Sequence, residues 1–116
     1  YAAHMAALCG AHIIKVKLPS DFLEEDPTKK SYIDNKIVIN NLADRVKHIV
    51  KCCFNGRRIV VFSGGEAKND NELMKEIEAI KKGGGFGSII GRNSFQRPHN
   101  KALELLNKII SIYKNS

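Results

Sequence analysis

Two lysines, Lys15 and Lys17, stand two residues apart in the short apolar segment AHIIKVKLP (Ala11 to Pro19). If that segment is a strand, alternation puts Ile13, Lys15 and Lys17 on one face and Ile14, Val16 and Leu18 on the other. A lysine between Ile14 and Val16 is poorly placed for an ordinary surface role. Inside a barrel, desolvation and nearby cations would favour the neutral amine, the nucleophile that imine formation with a ketone or aldehyde requires. The alternatives at this point are solvated lysines on an edge strand, or lysines that only hold phosphate.

Two further segments have the chemistry of anion-holding loops. Ser63, Gly64 and Gly65 follow directly on an apolar run. Their glycines would let backbone N–H groups approach an anion closely, and the serine hydroxyl adds a donor. A tight turn would explain the same residues. Gly91 and Arg92, in GRNSF, repeat the arrangement with a cation whose fork of donors suits phosphate oxygens. The two loops strengthen one another, because the last two strands of a (β/α)₈ barrel are a recurrent phosphate site.

Other inviting patterns carry less. GGGFG (Gly83 to Gly87) lies before and within a strand, so it lacks the strand-to-helix setting of a dinucleotide fingerprint. In GGEAKN, Lys68 is not followed by Ser or Thr and the glycine spacing is wrong for a P-loop. His4, His12, His48 and His99 are widely spaced and have no metal-ligand signature, so no metal and no cofactor is expected.

The elements that would position these residues alternate. YAAHMAALCG reads as the last turns of a helix ended by Gly10, and AHIIKVKLP as the first strand. Ser20 to Asn40 is polar and reads as mostly loop, with YIDNKIVI as a minor strand or turn. Asn41 can cap a helix to Cys53 that presents Leu42, Val46, Ile49, Val50 and Cys53 on one face. RRIVVFSGG (Arg57 to Gly65) is a continuous apolar strand with a glycine-rich exit, as suits a covered parallel strand. Asp70 or Asn71 can cap the next helix, with Leu73, Met74, Ile77 and Ile80 facing inward. A third strand centres on Phe86 to Ile90. Pro98 opens a last helix with Leu103, Leu106, Ile109, Ile110 and Tyr113 as its buried stripe. Strands and helices in this order predict a parallel α/β sheet, and all three strand exits carry chemistry at the edge where such sheets bind ligands. Barrel and open sheet both repeat this unit.

Composition narrows the function classes. The formal charge of +7 would steer acidic ligands toward the chain. The basic residues are scattered without an aromatic stripe, so nucleic acid is not an expected partner. No apolar run approaches the roughly 18 residues of a membrane span, and no membrane role is expected. Cys9, Cys52 and Cys53 form neither a CxxC pair nor a disulfide framework, which points to a reducing compartment such as the cytoplasm and to packing or surface thiols.

Together, GAHIIKVKLP, NGRRIVVFSGG and GGGFGSIIGRNSFQRP resemble the last three strands of class I fructose-bisphosphate aldolases of the bacterial and archaeal type, relatives of deoxyribose-phosphate aldolase. The resemblance runs in order along nearly the whole chain, with Asp21 to Asn40 the divergent part. It implies an α/β fold made of the C-terminal three βα units of a (β/α)₈ barrel: strand 6 over residues 11–18, strand 7 over 57–62, strand 8 over 86–91 and a final helix over 98–114. The imine-forming lysine of the G-A-x-x-x-K pattern then falls on Lys15, with Lys17 as runner-up or a charge-tuning neighbour. Ser63, Gly64 and Gly65 fall on the phosphate-holding turn after strand 7, and Gly91 and Arg92 on the one after strand 8. The implied reaction is cleavage of fructose 1,6-bisphosphate to dihydroxyacetone phosphate and glyceraldehyde 3-phosphate through a Schiff base. An acid and a tyrosine would come from earlier strands, and Tyr1, Tyr32 and Tyr113 do not take their place.

The implied partners are a sugar-phosphate substrate, the remainder of the barrel and further copies in a homo-oligomer. The start without an initiator methionine, together with only three strands, leads to the expectation of a fragment inactive alone, since three strands cannot close a barrel. The alternatives are a related lysine aldolase or transaldolase-like enzyme acting on another phosphorylated substrate, and a non-catalytic phosphate-binding α/β module.

Overall fold

A computed structural model describes residues 1–20, 26–36 and 41–115. The chain runs α1 (Ala2–Leu8), β1 (Ile13–Lys17), α2 (Asp26–Asp34), α3 (Leu42–Cys52), β2 (Ile59–Ser63), α4 (Asp70–Lys82), β3 (Gly87–Ile89), α5 (Arg92–Phe95) and α6 (His99–Lys114). The three strands form one sheet in the order β1-β2-β3, and both pairings are parallel. Ile13 pairs with Ile59, Lys15 with Val61 and Lys17 with Ser63. Val61 and Ser63 pair in turn with Gly87 and Ile89.

Register fixes which side chains share a face, because paired residues in neighbouring strands project together. Ile14, Val60 and Phe62 point to one side, where Ala3 and Ala7 of α1, Val46 of α3, Cys53 and Ile80 of α4 close over them. Phe62 and Val46 are fully buried, and burial of such side chains stabilises the fold by about 1.5–3 kcal/mol each. A second cluster joins Leu73 and Ile77 of α4 to Leu105 and Ile109 of α6. Among the described residues, no helix of these clusters covers the opposite sheet face, where Ile13 is 65% and Ile89 48% exposed.

Local chemistry explains the helix starts. Asn41 accepts from the Asp44 backbone N–H at 2.8 Å and caps α3. The cap of α4 is Asn69, which accepts from the Glu72 N–H at 2.9 Å. Asp70, expected as a cap together with Asn71, is instead the first helical residue, where its carboxylate faces the positive end of the helix dipole. Pro98 stands at the N-cap of α6 with φ −54°, one residue before the helix.

Three expectations change. The segment read as mostly loop contains α2, which begins at Asp26-Pro27, a start favoured because proline lacks only an N–H that a first turn leaves unpaired. Tyr32 to Asp34 therefore belong to a helix, while Ile37 to Ile39 of YIDNKIVI, like Asn40 and Asp21 to Glu25, lie outside the described residues. The stripe assigned to α6 is also displaced. Leu105 and Ile109 are buried, whereas Leu103, Leu106 and Ile110 are exposed, because α6 meets α4 through the 105/109 edge of a helix that is apolar on two sides. Finally, β3 is confined to Gly87–Ile89, and Phe86 is 69% exposed.

Candidate active site

Lys15 and Lys17 lie on the open face of β1 and both are exposed, while Ile14 between them and the core is 3% exposed. The alternation read from the sequence is thus the alternation of the fold. Around Lys15 the open face is apolar: Ile13 and Ile59 are paired one step toward the strand entrance, Val61 is directly beside it, and Ile89 lies near the exit. Lys17 and Ser63 are paired at the exit itself. A face with this many exposed aliphatic residues is unusual against water. It has the character of a barrel lining, which would need further strands to desolvate Lys15.

The loops that leave β2 and β3 meet. The Gly64 N–H donates to the Ile89 carbonyl at 3.3 Å, extending the ladder beyond Ser63. Gly65 has φ +69°, a conformation in which side-chain-bearing residues are strained, and a Cβ there would meet nothing within 4 Å. Conformation alone accounts for glycine at this position. Gly91 stands at the N-terminus of α5, and Arg92, exposed at the next position, donates to the Gly65 carbonyl oxygen at 3.0 Å. The two candidate phosphate turns are therefore tied directly to each other. One guanidinium N–H is used in this way, and the fork offers four more for an anion.

A residue that sequence reasoning passed over organises this junction. Asn93 is the buried polar side chain of the described residues, at 2% exposure. Its Oδ1 accepts from the Lys68 N–H at 2.7 Å, and its Nδ2 donates to the Glu66 carbonyl at 3.0 Å. Arg97 adds Nε–H to the Asn93 carbonyl at 2.6 Å, a second bond to the Lys68 carbonyl at 3.2 Å, and an ion pair with Asp70. Lys68, set aside as a P-loop lysine, pairs with Glu76 of α4. The loop after β2 is held in shape by side chains from α5 and the turn that follows it. No local pattern in the sequence announces Asn93, because its partners Lys68 and Glu66 lie 25 and 27 residues away.

In the middle of β3, Ser88 shares a hydrogen bond of 2.6 Å with the Tyr113 hydroxyl, and burial pushes the Tyr113 phenol up despite that bond. This contact fixes α6 to the sheet on the side away from the lysines. No helix among the described residues is long and apolar enough to cross a membrane.

The family model described as DeoC/LacD family aldolase matches residues 1–97. A Chlamydia trachomatis protein named "Probable fructose-bisphosphate aldolase class 1" is 33% identical over 122 aligned positions, covering 97% of this chain and 34% of that protein. A Methanocaldococcus jannaschii protein named "Fructose-bisphosphate aldolase/6-deoxy-5-ketofructose 1-phosphate synthase" is 30% identical over 112 positions, covering 96% and 30%. The crystal structure of an archaeal fructose 1,6-bisphosphate aldolase superposes on all of this chain and on 36% of its own, with a TM-score of 0.73 and 24% identity. That likeness speaks for the fold: the parallel βα units here correspond to part of a barrel. The chain spans about a third of the length of the curated relatives it matches.

Proposed function

This chain belongs to the DeoC/LacD aldolase family, and from that membership we propose that it carries the Schiff-base lysine and the phosphate-holding loops of a class I fructose-bisphosphate aldolase. The observation that carries the reading is the open sheet face: Lys15 stands among Ile13, Ile59 and Val61 on the same side of the sheet as Ser63, at the C-terminal edge.

On this reading the Lys15 amine attacks the C2 carbonyl of fructose 1,6-bisphosphate, and loss of water gives an iminium. The iminium draws electrons as the C3–C4 bond breaks. Glyceraldehyde 3-phosphate leaves, and the enamine that remains takes a proton at C3 before hydrolysis frees dihydroxyacetone phosphate. Lys17, paired with Ser63 one step nearer the exit, places a second cation on the same face of the sheet. Arg92 and the Ser63-Gly64-Gly65 turn hold one phosphate, so that binding energy is converted into orientation of the reacting carbon. The acid and the tyrosine that the family resemblance implies for moving protons at the C4 hydroxyl and at C3 would come from strands this chain does not contain.

The reading requires a closed barrel. The 116-residue chain alone is expected to cleave no fructose 1,6-bisphosphate at an aldolase rate, while the longer protein containing it does, and Lys15→Met in that protein lowers kcat by at least about 10³-fold. Full turnover by the isolated chain, or by the Lys15→Met protein, would overturn it. A second reading has one observation in its favour, the double name of the Methanocaldococcus relative: a related lysine aldolase that joins the same three-carbon phosphate to a different carbonyl partner. Competing acceptor aldehydes in the synthesis direction distinguish the two.

A further inference from the structure

A second chemical cluster lies on the outer side of α3. Asp44, Lys47, His48, Lys51 and Cys52 recur at helical spacing on one face of α3, and with Asn35 and Lys36 at the end of α2 they line a cavity of about 580 Å³. None of the candidate aldolase residues lines it. The Tyr32 hydroxyl and His48 Nε2 are 2.6 Å apart, with the two rings edge to face at 5.0 Å. Cys52 Sγ lies 3.7 Å from the same His48 nitrogen, one helical turn on. Burial, followed by the positive surroundings that include Lys51, holds His48 below its ordinary value, so that it is a neutral base near pH 7. Three lysines against one aspartate make the cavity electropositive.

The three cysteines of the chain differ sharply in setting. Cys53 is fully buried in the core and donates to the Ala3 carbonyl at 3.6 Å. Cys9 is exposed. Cys52 combines partial exposure, a base within reach and a cationic cavity.

We propose that Cys52 is a thiol-exchange site that takes an anionic low-molecular-weight disulfide, of the class of oxidised glutathione, in the cavity formed by Lys36, Lys47 and Lys51. The lysines gather the carboxylates of the disulfide. His48 Nε2 accepts the Cys52 thiol proton, and the Tyr32 hydroxyl turns to accept from the new N–H. The Cys52 thiolate attacks one sulfur of the disulfide. A bond forms between Cys52 and that sulfur as the original S–S bond breaks, and the other half leaves as a thiolate that takes the proton back from His48. Cys52 is oxidised to a mixed disulfide and the reagent is reduced by one thiol equivalent, so no other oxidant is involved. This site is independent of the aldolase reading, and its test does not use aldolase activity.

The test is the rate of adduct formation at each cysteine, read by peptide mass analysis, with oxidised glutathione and with the neutral 2-hydroxyethyl disulfide at equal concentration. Cys9 serves as the internal reference, because simple exposure favours it. With oxidised glutathione, Cys52 is expected to react about tenfold faster than Cys9, and the neutral disulfide is expected to remove most of that preference. Lys47→Ala with Lys51→Ala should also remove it, and His48→Gln should slow Cys52 with both reagents. Reaction at Cys9 as fast as at Cys52, or an equal Cys52 preference with both disulfides, would overturn the proposal. The comparison of reagents on the unsubstituted chain decides it even if a variant fails to fold.

Discussion

The Arg92 guanidinium donates to the Gly65 carbonyl oxygen at 3.0 Å, joining the exit of β3 to the exit of β2 across the end of the sheet. One side chain therefore both shapes the turn and keeps donors free beside it. Its removal should act on substrate binding more than on the fold, since Arg92 is exposed. In a protein that completes the barrel around this chain, Arg92→Ala is expected to raise KM for fructose 1,6-bisphosphate roughly ten- to hundredfold, the equivalent of about 1.5–3 kcal/mol for a charge-assisted contact. Arg92→Lys, which keeps the charge and loses the fork, should fall between. Steady-state kinetics check both.

Asn93 acts in the opposite sense, on the fold before the ligand. Both ends of its buried amide are engaged, with Lys68 and Glu66. Asn93→Ala leaves the partner groups of the β2 exit loop unpaired and is expected to cost about 1–3 kcal/mol in urea unfolding. Asn93→Asp sets a carboxylate oxygen against the Glu66 carbonyl and should cost more.

The glycines of the chain separate by cause. A Cβ on Gly83 would lie 2.5 Å from Val46 Cγ1 and 2.7 Å from the Ala43 carbonyl oxygen, so Gly83→Ala forces α3 and α4 apart and is expected to destabilise by about 1–3 kcal/mol. Gly65 meets no neighbour, and its φ of +69° is the constraint. Gly65→Ala should cost only about 1 kcal/mol in stability, yet impair phosphate binding by reshaping the turn. Paired thermal melts and KM measurements separate the two behaviours.

Stability should fall on mild acidification because of His48. Its folded-state value is held below the ordinary 6.5 by burial first and by nearby positive charge after it. Within the window just below 6.5 the unfolded chain therefore binds more protons than the folded one, and stability rises with pH through that window. The contribution is complete above 6.5 and is lost as pH falls toward the lowered value. Urea midpoints measured across this range should slope for the unsubstituted chain and flatten for His48→Gln. An unchanged slope would assign the acid sensitivity elsewhere.

Much of this arrangement was legible in the sequence, for physical reasons that also explain the misses. Ile14, Val16, Val60 and Phe62 make short apolar runs bounded by glycine, and their parity alone separated the face of Lys15 from the core. Asn41 announced α3 because a cap is a local interaction. α2 stayed hidden because none of its residues is buried, so it has no apolar stripe to read. In α6 the apolar positions 103, 105, 106, 109, 110 and 113 admit two faces, and only packing against Leu73 and Ile77 selects Leu105 and Ile109. Asn93 was invisible for a different reason: a four-residue helix has no periodicity, and its partners lie 25 and 27 residues away.

The central claim is that Lys15 forms the imine. Borohydride reduction of a protein that completes the barrel around this chain, in the presence of dihydroxyacetone phosphate and followed by peptide mass analysis, tests it most directly. The account predicts a single reduced adduct on Lys15, absent from the Lys15→Met protein. An adduct on Lys17, or no adduct in a protein that cleaves fructose 1,6-bisphosphate, would contradict it.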